Sequence, residues 1–146
     1  MSQVPPDTAH DEVPSGIGLL GVDHVQLGMP LRGENEARRF YGAVLGLREV
    51  EKPPSLAGRG GCWFVGGNGL AIHLGVDDRF IAAKKAHPCL IVADLAAARL
   101  RLAAADALIV EDDADTGLDR CYTADPFGNR IELLDAGDAG FSDRPR

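Results

Sequence analysis

Short apolar runs, some alternating with polar residues and some continuous, predict a chain of strands separated by loops rich in glycine, proline and aspartate. Strands are expected at 18–30, 47–52, 62–65, 70–75, 86–93, 107–111, 120–124 and 129–135. Helices are expected at 34–45, where apolar residues recur at helical spacing, and at 95–105, an alanine-rich run that follows Asp94 as a favourable N-cap. The order β-α-β-β-β therefore occurs twice, which predicts the α+β class.

The sequence contains an internal repeat. Residues 62–74 align without a gap on residues 121–133, with cysteine on cysteine, glycine on glycine and isoleucine on isoleucine, and this alignment places His73 on Glu132. A repeat of this kind predicts two copies of one structural unit, so both side chains are expected at the same place in their modules. A glutamate among apolar strand residues is costly unless it is paired or binds a metal, which makes Glu132 a candidate functional residue.

A second alignment, further upstream, gives another pair of equivalent side chains. The stretch Asp23–Leu27 aligns with Ala86–Leu90, and His24 then corresponds to His87. The candidate metal ligands of the two modules are His24, His73, His87 and Glu132. Imidazole and carboxylate groups bind Zn, Ni, Fe or Mn, and two histidines with one carboxylate form the facial triad of several metals that keep open positions.

Each of these residues also has a simpler interpretation. A single histidine on an apolar strand is more often a hydrogen-bonded core residue, and Glu132 could pair with Arg130, which lies two residues away on the same face. The joint placement of two repeat-related pairs favours the metal site over these separate explanations. Gln26 and Cys89, each two residues after a candidate histidine, are expected to line the same pocket, although packing in the core is an equally good interpretation of Cys89.

Composition narrows the class of protein. With 146 residues, 45% of them hydrophobic, the chain suits one domain with a core, and its net charge of −7 argues against nucleic acid and anionic membrane surfaces as main partners. No apolar run is long enough to span a membrane, and the acidic, proline-rich N-terminus lacks the apolar centre of a signal peptide. The cysteines form no CxxC pair, so reduced thiols and a cytoplasmic location are expected.

Four short motifs resemble the vicinal oxygen chelate superfamily. They are DHV at 23–25, AIHL at 71–74, AHP at 86–88 and DPFGNRIEL at 125–133. The superfamily includes glyoxalase I, methylmalonyl-CoA epimerase, fosfomycin-resistance thiol transferases, extradiol dioxygenases and bleomycin-binding proteins. The resemblance covers about residues 17–135 and implies one domain of two βαβββ modules, 17–80 and 86–135, that form a curved, U-shaped mixed sheet around one divalent metal ion. The segments 1–16 and 136–146 are then expected to be tails.

The resemblance also implies a ligand set and a reaction. Its metal ligands, carried over motif by motif, are the same four residues that the repeat indicates, with Glu132 and His73 as the groups that could move a proton. The implied activity is that of a glyoxalase-like lyase or isomerase acting on a small substrate with vicinal oxygens. Tyr122 and Arg130 are expected to join the pocket residues. A homodimer is expected, with the site formed either within one chain or across two.

Departures from the superfamily's patterns leave alternative functions open. Glyoxalase I usually has a carboxylate where this chain has His73, and the epimerases have glutamine there. An extradiol dioxygenase would fit the residues from Tyr122 to Glu132, but residues 108–121 contain no histidine to serve as its acid–base group. No basic cluster suits the phosphonate of a fosfomycin transferase, and bleomycin binders usually lack the metal ligands. A dioxygenase and a non-catalytic antibiotic-binding resistance protein remain alternatives, and neither the substrate nor the metal is predicted.

Overall fold

The structure, a computed structural model, describes residues 16–140. Most of the expected N-terminal tail, including His10, and residues 141–146 of the expected C-terminal tail lie outside the described residues. None of the helices within 16–140 is long and apolar enough to cross a membrane.

Each module consists of short strands and helical segments that follow one another closely. The first contains β1 (Val25–Met29), α1 (Glu34–Ala37), a π-helical segment (Arg38–Val44) that continues α1, β2 (Arg48–Val50), α2 (Pro54–Ala57), β3 (Cys62–Val65), a 3-10 turn (Gly67–Gly69) and β4 (Ala71–Val76). The second contains β5 (Cys89–Val92), α3 (Leu95–Ala104), β6 (Val110–Glu111), β7 (Arg120–Ala124) and β8 (Arg130–Asp135).

Each module forms one four-stranded mixed sheet, and the two sheets share one topology. The strand orders are β1-β4-β3-β2 and β5-β8-β7-β6, with parallel pairs at β1–β4 and β5–β8 and antiparallel pairs elsewhere. The register repeats as well, since Trp63 pairs with His73 in the first sheet as Tyr122 pairs with Glu132 in the second. The predicted α+β fold of two βαβββ modules is therefore confirmed.

Two strands begin later than the apolar pattern predicts. His24 and His87 precede β1 and β5 instead of lying within them. Pro88, which would disturb a strand ladder, also lies before β5, and its carbonyl accepts a hydrogen bond from the backbone N–H of Glu132 at 3.0 Å. Both candidate histidines thus sit on the connections that enter the sheets.

Two further segments differ from the prediction. The sixth strand is reduced from 107–111 to Val110–Glu111, and α2 occupies a segment predicted as a loop. Pro54 is the first residue of α2, where its missing N–H costs nothing because that group has no partner inside a helix. The two prolines therefore begin a helical turn here instead of only interrupting regular secondary structure.

The first helix widens after its first turn. In the π-helical segment the backbone N–H of Leu45 donates to the carbonyl of Phe40 at 2.8 Å, five residues back. Phe40 and Tyr41 are both buried, so the wider winding directs two neighbouring aromatic rings into the core. Gly46 follows with a φ of 76°, a backbone conformation that suits glycine at a helix C-terminus. At the start of α3, the Asp94 carboxylate accepts from the backbone N–H of Ala97 at 2.9 Å, as predicted for an N-cap.

One apolar core is shared by the two modules. Its members come from the strands and helices of both modules and include Leu27, Met29, Phe64, Ile72, Leu74, Leu95, Leu102, Ile131 and Leu133. Cys62 and Cys121 are fully buried in it, as expected for small apolar residues. Arg101 of α3 adds a polar connection by donating to the carbonyls of Ala43 and Val44, each at 2.8 Å.

The turn between β7 and β8 also joins the modules. Its Asp125 carboxylate is buried and accepts a hydrogen bond from the Tyr41 hydroxyl at 2.8 Å. The Asn129 side chain donates both to Asp125 and to the carbonyl of Gly28 in β1, each at 2.8 Å. Gly128 has a φ of 90°, which suits glycine in this tight turn. The residues of this turn thus also fix the relative position of the two modules.

Candidate functional site

The predicted site residues lie on the face of each sheet that points away from the shared core. Side chains alternate along a strand, so His73 points away from the core that contains its neighbours Ile72 and Leu74. Glu132 stands in the same relation to Ile131 and Leu133. We call these two surfaces the open faces of the first and second module.

On the first open face, three rings form a stack. The ring of His73 is stacked on that of His24, with centroids 4.1 Å apart and planes 20° apart. Trp63 covers the other side of His73, at 3.9 Å and 3°. His73 is only 9% exposed as a result, and this burial, followed by the nearby His24 ring, lowers the pKa of His73 below its usual value. The neutral imidazole, the form that binds metals, is therefore favoured at His73.

His24 is oriented by its neighbour. Its Nδ1 lies 2.7 Å from a carboxylate oxygen of Asp23, and its side chain is 39% exposed. A carboxylate that accepts from Nδ1–H leaves Nε2 with a lone pair, as in many metal sites. Asp23, a polar residue in an otherwise apolar stretch, thus has a positioning role that its place in the sequence did not reveal.

On the second open face, His87 and Glu132 are in direct contact. Nε2 of His87 lies 3.0 Å from Oε2 of Glu132, while Nδ1 lies 2.8 Å from the carbonyl oxygen of Lys85. Because a carbonyl can only accept, Nδ1 must carry a proton, and the contact with Glu132 is satisfied when Nε2 carries one too. Loss of the Nε2 proton would leave a lone pair beside a carboxylate oxygen, which is a suitable start for a metal site.

Glu132 has a cationic partner that the sequence analysis did not identify. Its Oε1 accepts from the guanidinium of Arg120 at 3.2 Å, and Arg120 in turn donates to Asp112 at 2.6 Å. This hydrogen bond from Arg120 lowers the pKa of the Asp112 carboxyl. The simpler interpretation of Glu132 named the wrong arginine: Arg130 lies over the ring of Tyr122, with its guanidinium carbon 4.0 Å from the ring centroid.

The expected pocket residues lie beside these pairs. Gln26 is paired in register with His73 across β1 and β4, and Cys89 with Glu132 across β5 and β8. Both are exposed, so Cys89 does not pack in the core, and the pocket interpretation of the two residues stays a prediction. Tyr122 faces His87 edge-on, with ring centroids 5.6 Å apart.

The four predicted ligands fall into two separate pairs. Within residues 16–140, no group of three or more histidine, cysteine, aspartate or glutamate side chains is placed to hold a metal ion. No hydrogen bond, ion pair or ring contact of the described residues joins His24 or His73 to His87 or Glu132. Within this part of the chain the four predicted ligands are therefore not brought together, and the four-ligand site stays a prediction.

The described residues also form a cleft that does not include the pair His87 and Glu132. It has a volume of about 820 Å³, lies between the modules and is lined mostly by apolar side chains such as Leu47, Leu70 and Leu102. Of the four predicted ligands, only His24 reaches its wall. The titratable groups that could support chemistry lie on the open faces.

Three residues that contact the predicted ligands, Asp23, Trp63 and Arg120, were not identified by sequence reasoning. Trp63 could have been found, because the repeat aligns it with Tyr122, one of the expected pocket residues. Arg120 lies in β7, across the sheet from Glu132, and only the register of two strands brings them together. Spacing along one strand therefore could not show that contact.

Comparisons with known proteins agree with this fold. A family model for the glyoxalase-like domain matches residues 31–134. A solved structure of a glyoxalase family protein from Bacillus anthracis is 42% identical, with a TM-score of 0.76, over 80% of this chain and 95% of that one. A comparison with curated proteins gives no match.

Two more distant structures are similar in fold. FosX, a genomically encoded fosfomycin resistance protein from Listeria monocytogenes, is 18% identical with a TM-score of 0.66, over 80% of this chain and 91% of that one. TnmS3, an antibiotic binding protein from Streptomyces sp. CB03234, is 18% identical with a TM-score of 0.61, over 80% and 98%. At these identities the likeness concerns the fold alone.

Proposed function

Because the chain belongs to the glyoxalase-like family of the vicinal oxygen chelate superfamily, we propose that it is a divalent-metal-dependent lyase or isomerase acting on a small substrate with vicinal oxygens. The observation that supports this most is the equivalence of the two pairs. His73 and Glu132 occupy the same register position in two sheets of the same topology, and each has a histidine from the entering connection beside it.

The donor set suits one divalent ion such as Zn, Ni, Fe or Mn. His24 and His87 each have Nδ1 engaged by an oxygen, which fixes the ring, and a bound ion would take the place of the direct contact between Nε2 of His87 and Oε2 of Glu132. Burial favours the neutral form of His73, and Glu132 supplies a carboxylate oxygen.

We place the complete site between two copies of the chain. Each pair lies on an open face, and the shared core occupies the other side of both sheets. In a homodimer, the first open face of one copy can meet the second open face of the other, which would combine His24 and His73 with the partner's His87 and Glu132. Such an isologous dimer gives two identical sites.

The chemistry divides between the ion and the side chains. A bound divalent ion would take two oxygens of the substrate and stabilise the negative charge that develops on them. Glu132 is the proposed proton carrier, with His73 as a second candidate. Arg120 acts as a positioning residue, because its hydrogen bond to Oε1 fixes the carboxylate and leaves Oε2 toward His87.

The shared site can be tested by complementation. One variant would carry His24→Ala and His73→Ala, and the other His87→Ala and Glu132→Ala. Each should be nearly free of metal alone, but mixed dimers combine one intact pair from each copy, so a refolded equal mixture should hold about a quarter of the wild-type metal. Metal is measured by elemental analysis after gel filtration. A mixture as empty as its components would refute the shared site, and a wild-type protein that never holds metal would refute the proposal as a whole.

A binding protein without catalysis is the second candidate. The Trp63–His73–His24 stack offers a flat aromatic surface of the kind that holds planar ligands. Binding of a planar ligand to metal-loaded protein, with no turnover of any vicinal dicarbonyl or epimerisable acid, would favour this alternative.

A further inference from the structure

Arg130 lies at a fixed place beside the proposed metal site. Its guanidinium stacks on the Tyr122 ring at 4.0 Å, and Tyr122 is paired in register with Glu132. Arg130 is also two residues before Glu132 in β8, so the two side chains share the second open face. Stacking on an aromatic ring holds a guanidinium flat and leaves its N–H edge free to donate.

Arg130 differs from the other partly buried arginines. Within residues 16–140 these are Arg99, Arg120 and Arg130. Arg99 and Arg120 each form ion pairs with two carboxylates. No described carboxylate lies within ion-pair distance of Arg130, in a chain whose net charge is −7.

The nearby carboxylate of Glu132 does not form an ion pair with Arg130 either. Both oxygens of Glu132 are already engaged, one by His87 and the other by Arg120. A partly buried cation that is stacked on a ring and forms no ion pair with a carboxylate of residues 16–140 is suited to an anion from outside, and a guanidinium fork matches the two oxygens of a carboxylate or phosphonate.

We infer that Arg130 binds an oxyanion group of the substrate, a carboxylate or a phosphonate, that lies beyond the two oxygens held at the metal. This inference rests on the proposed function, because it places the anionic group relative to that site. It specifies the substrate class as a small anion with vicinal oxygens at one end and a charged group at the other. Tyr122 is then a positioning residue that keeps the guanidinium in place.

Two catechols of nearly the same shape can test this. 3,4-Dihydroxybenzoate and 3,4-dihydroxybenzamide both offer vicinal oxygens to a metal, but only the acid carries a charge at the far end. Calorimetric titration of metal-loaded protein should show that the acid binds about tenfold more tightly than the amide, the value expected for one charge-assisted hydrogen-bonded pair. 3,4-Dihydroxyphenylphosphonate, titrated alongside, distinguishes a preference for phosphonate from one for carboxylate.

Variants identify the residue responsible. Arg130→Gln should bind acid and amide alike while keeping its metal, and Arg130→Lys should recover part of the preference. Arg59→Gln, at an exposed arginine after α2, is the matched control and should behave as wild type. A wild-type protein with metal but without preference for the acid, or an Arg130→Gln variant that keeps the preference, would overturn the inference. If the wild type holds no metal, the proposed function fails, and the inference is then decided by the same comparison on the metal-free protein.

Discussion

Replacing Asp125 with asparagine should destabilise the fold strongly although the side chain keeps its shape. The carboxylate accepts four hydrogen bonds: Oδ1 from the backbone N–H groups of Phe127 and Asn129, and Oδ2 from the Tyr41 hydroxyl and the Asn129 amide. Two backbone donors cannot reverse, so the new amide oxygen must take the Oδ1 position and the new NH2 group must replace Oδ2. Tyr41 can rotate its hydroxyl to accept, but Asn129 also donates to Gly28 and would face a second donor.

The expected cost follows from this count. Asp125→Asn loses one hydrogen bond to a charged acceptor, worth about 1.5–3 kcal/mol, and weakens the other three because the charge is gone. We expect a loss of roughly 3 kcal/mol in the free energy of unfolding, measured by urea denaturation at fixed protein concentration. Asp78→Asn, at an exposed aspartate, is the control and should change it by less than about 0.5 kcal/mol. An Asp125→Asn protein as stable as this control would show that the buried network does not hold the modules together.

Three further predictions concern the proposed site. Elemental analysis should show that most of the bound metal is lost in His24→Ala, His87→Ala and Glu132→Ala. The variant His73→Ala should keep a weaker site, and His73→Glu should keep the metal. Equal loss in all the alanine variants would contradict a triad with one extra ligand. Metal affinity should fall below a pH of about 6.5, because the imidazoles gain protons there. The metal-free protein should lose stability over the same range, because the lowered pKa of His73 makes the folded chain bind a proton at His73 less readily than the unfolded chain does. Metal affinity and unfolding free energy that do not change with pH in this range would contradict these expectations. Oxygen uptake with catechols should stay near background, since no histidine precedes Tyr122 within residues 108–121, and ring-cleaved product at an enzymatic rate would refute that argument.

The strands that lie between two neighbours have ends within one residue of the prediction, since β4 was expected at 70–75 and β8 at 129–135. β3 and β7 have the expected bounds, and each lies inside its sheet between two partners. β1 and β5 are edge strands with one partner each, and their pairing begins later than the apolar pattern that marks them. Apolar alternation shows which residues are able to join a sheet. Which of these residues form a strand depends on how far the neighbouring strand extends beside them.

The same distinction explains how much of the candidate site the sequence revealed. The repeat placed His73 and Glu132 correctly at equivalent positions, because strand register follows from the alternation of side chains within one module. It could not show that Arg120 reaches Glu132, since that contact depends on a pairing between strands. Nor could it show that the two pairs lie apart in one chain, because the packing of one module on the other is set by contacts such as Tyr41 with Asp125 that no periodicity encodes. A sequence repeat therefore specifies two half-sites, and the assembly of the modules, within one chain or between two, determines whether those halves face a common ion.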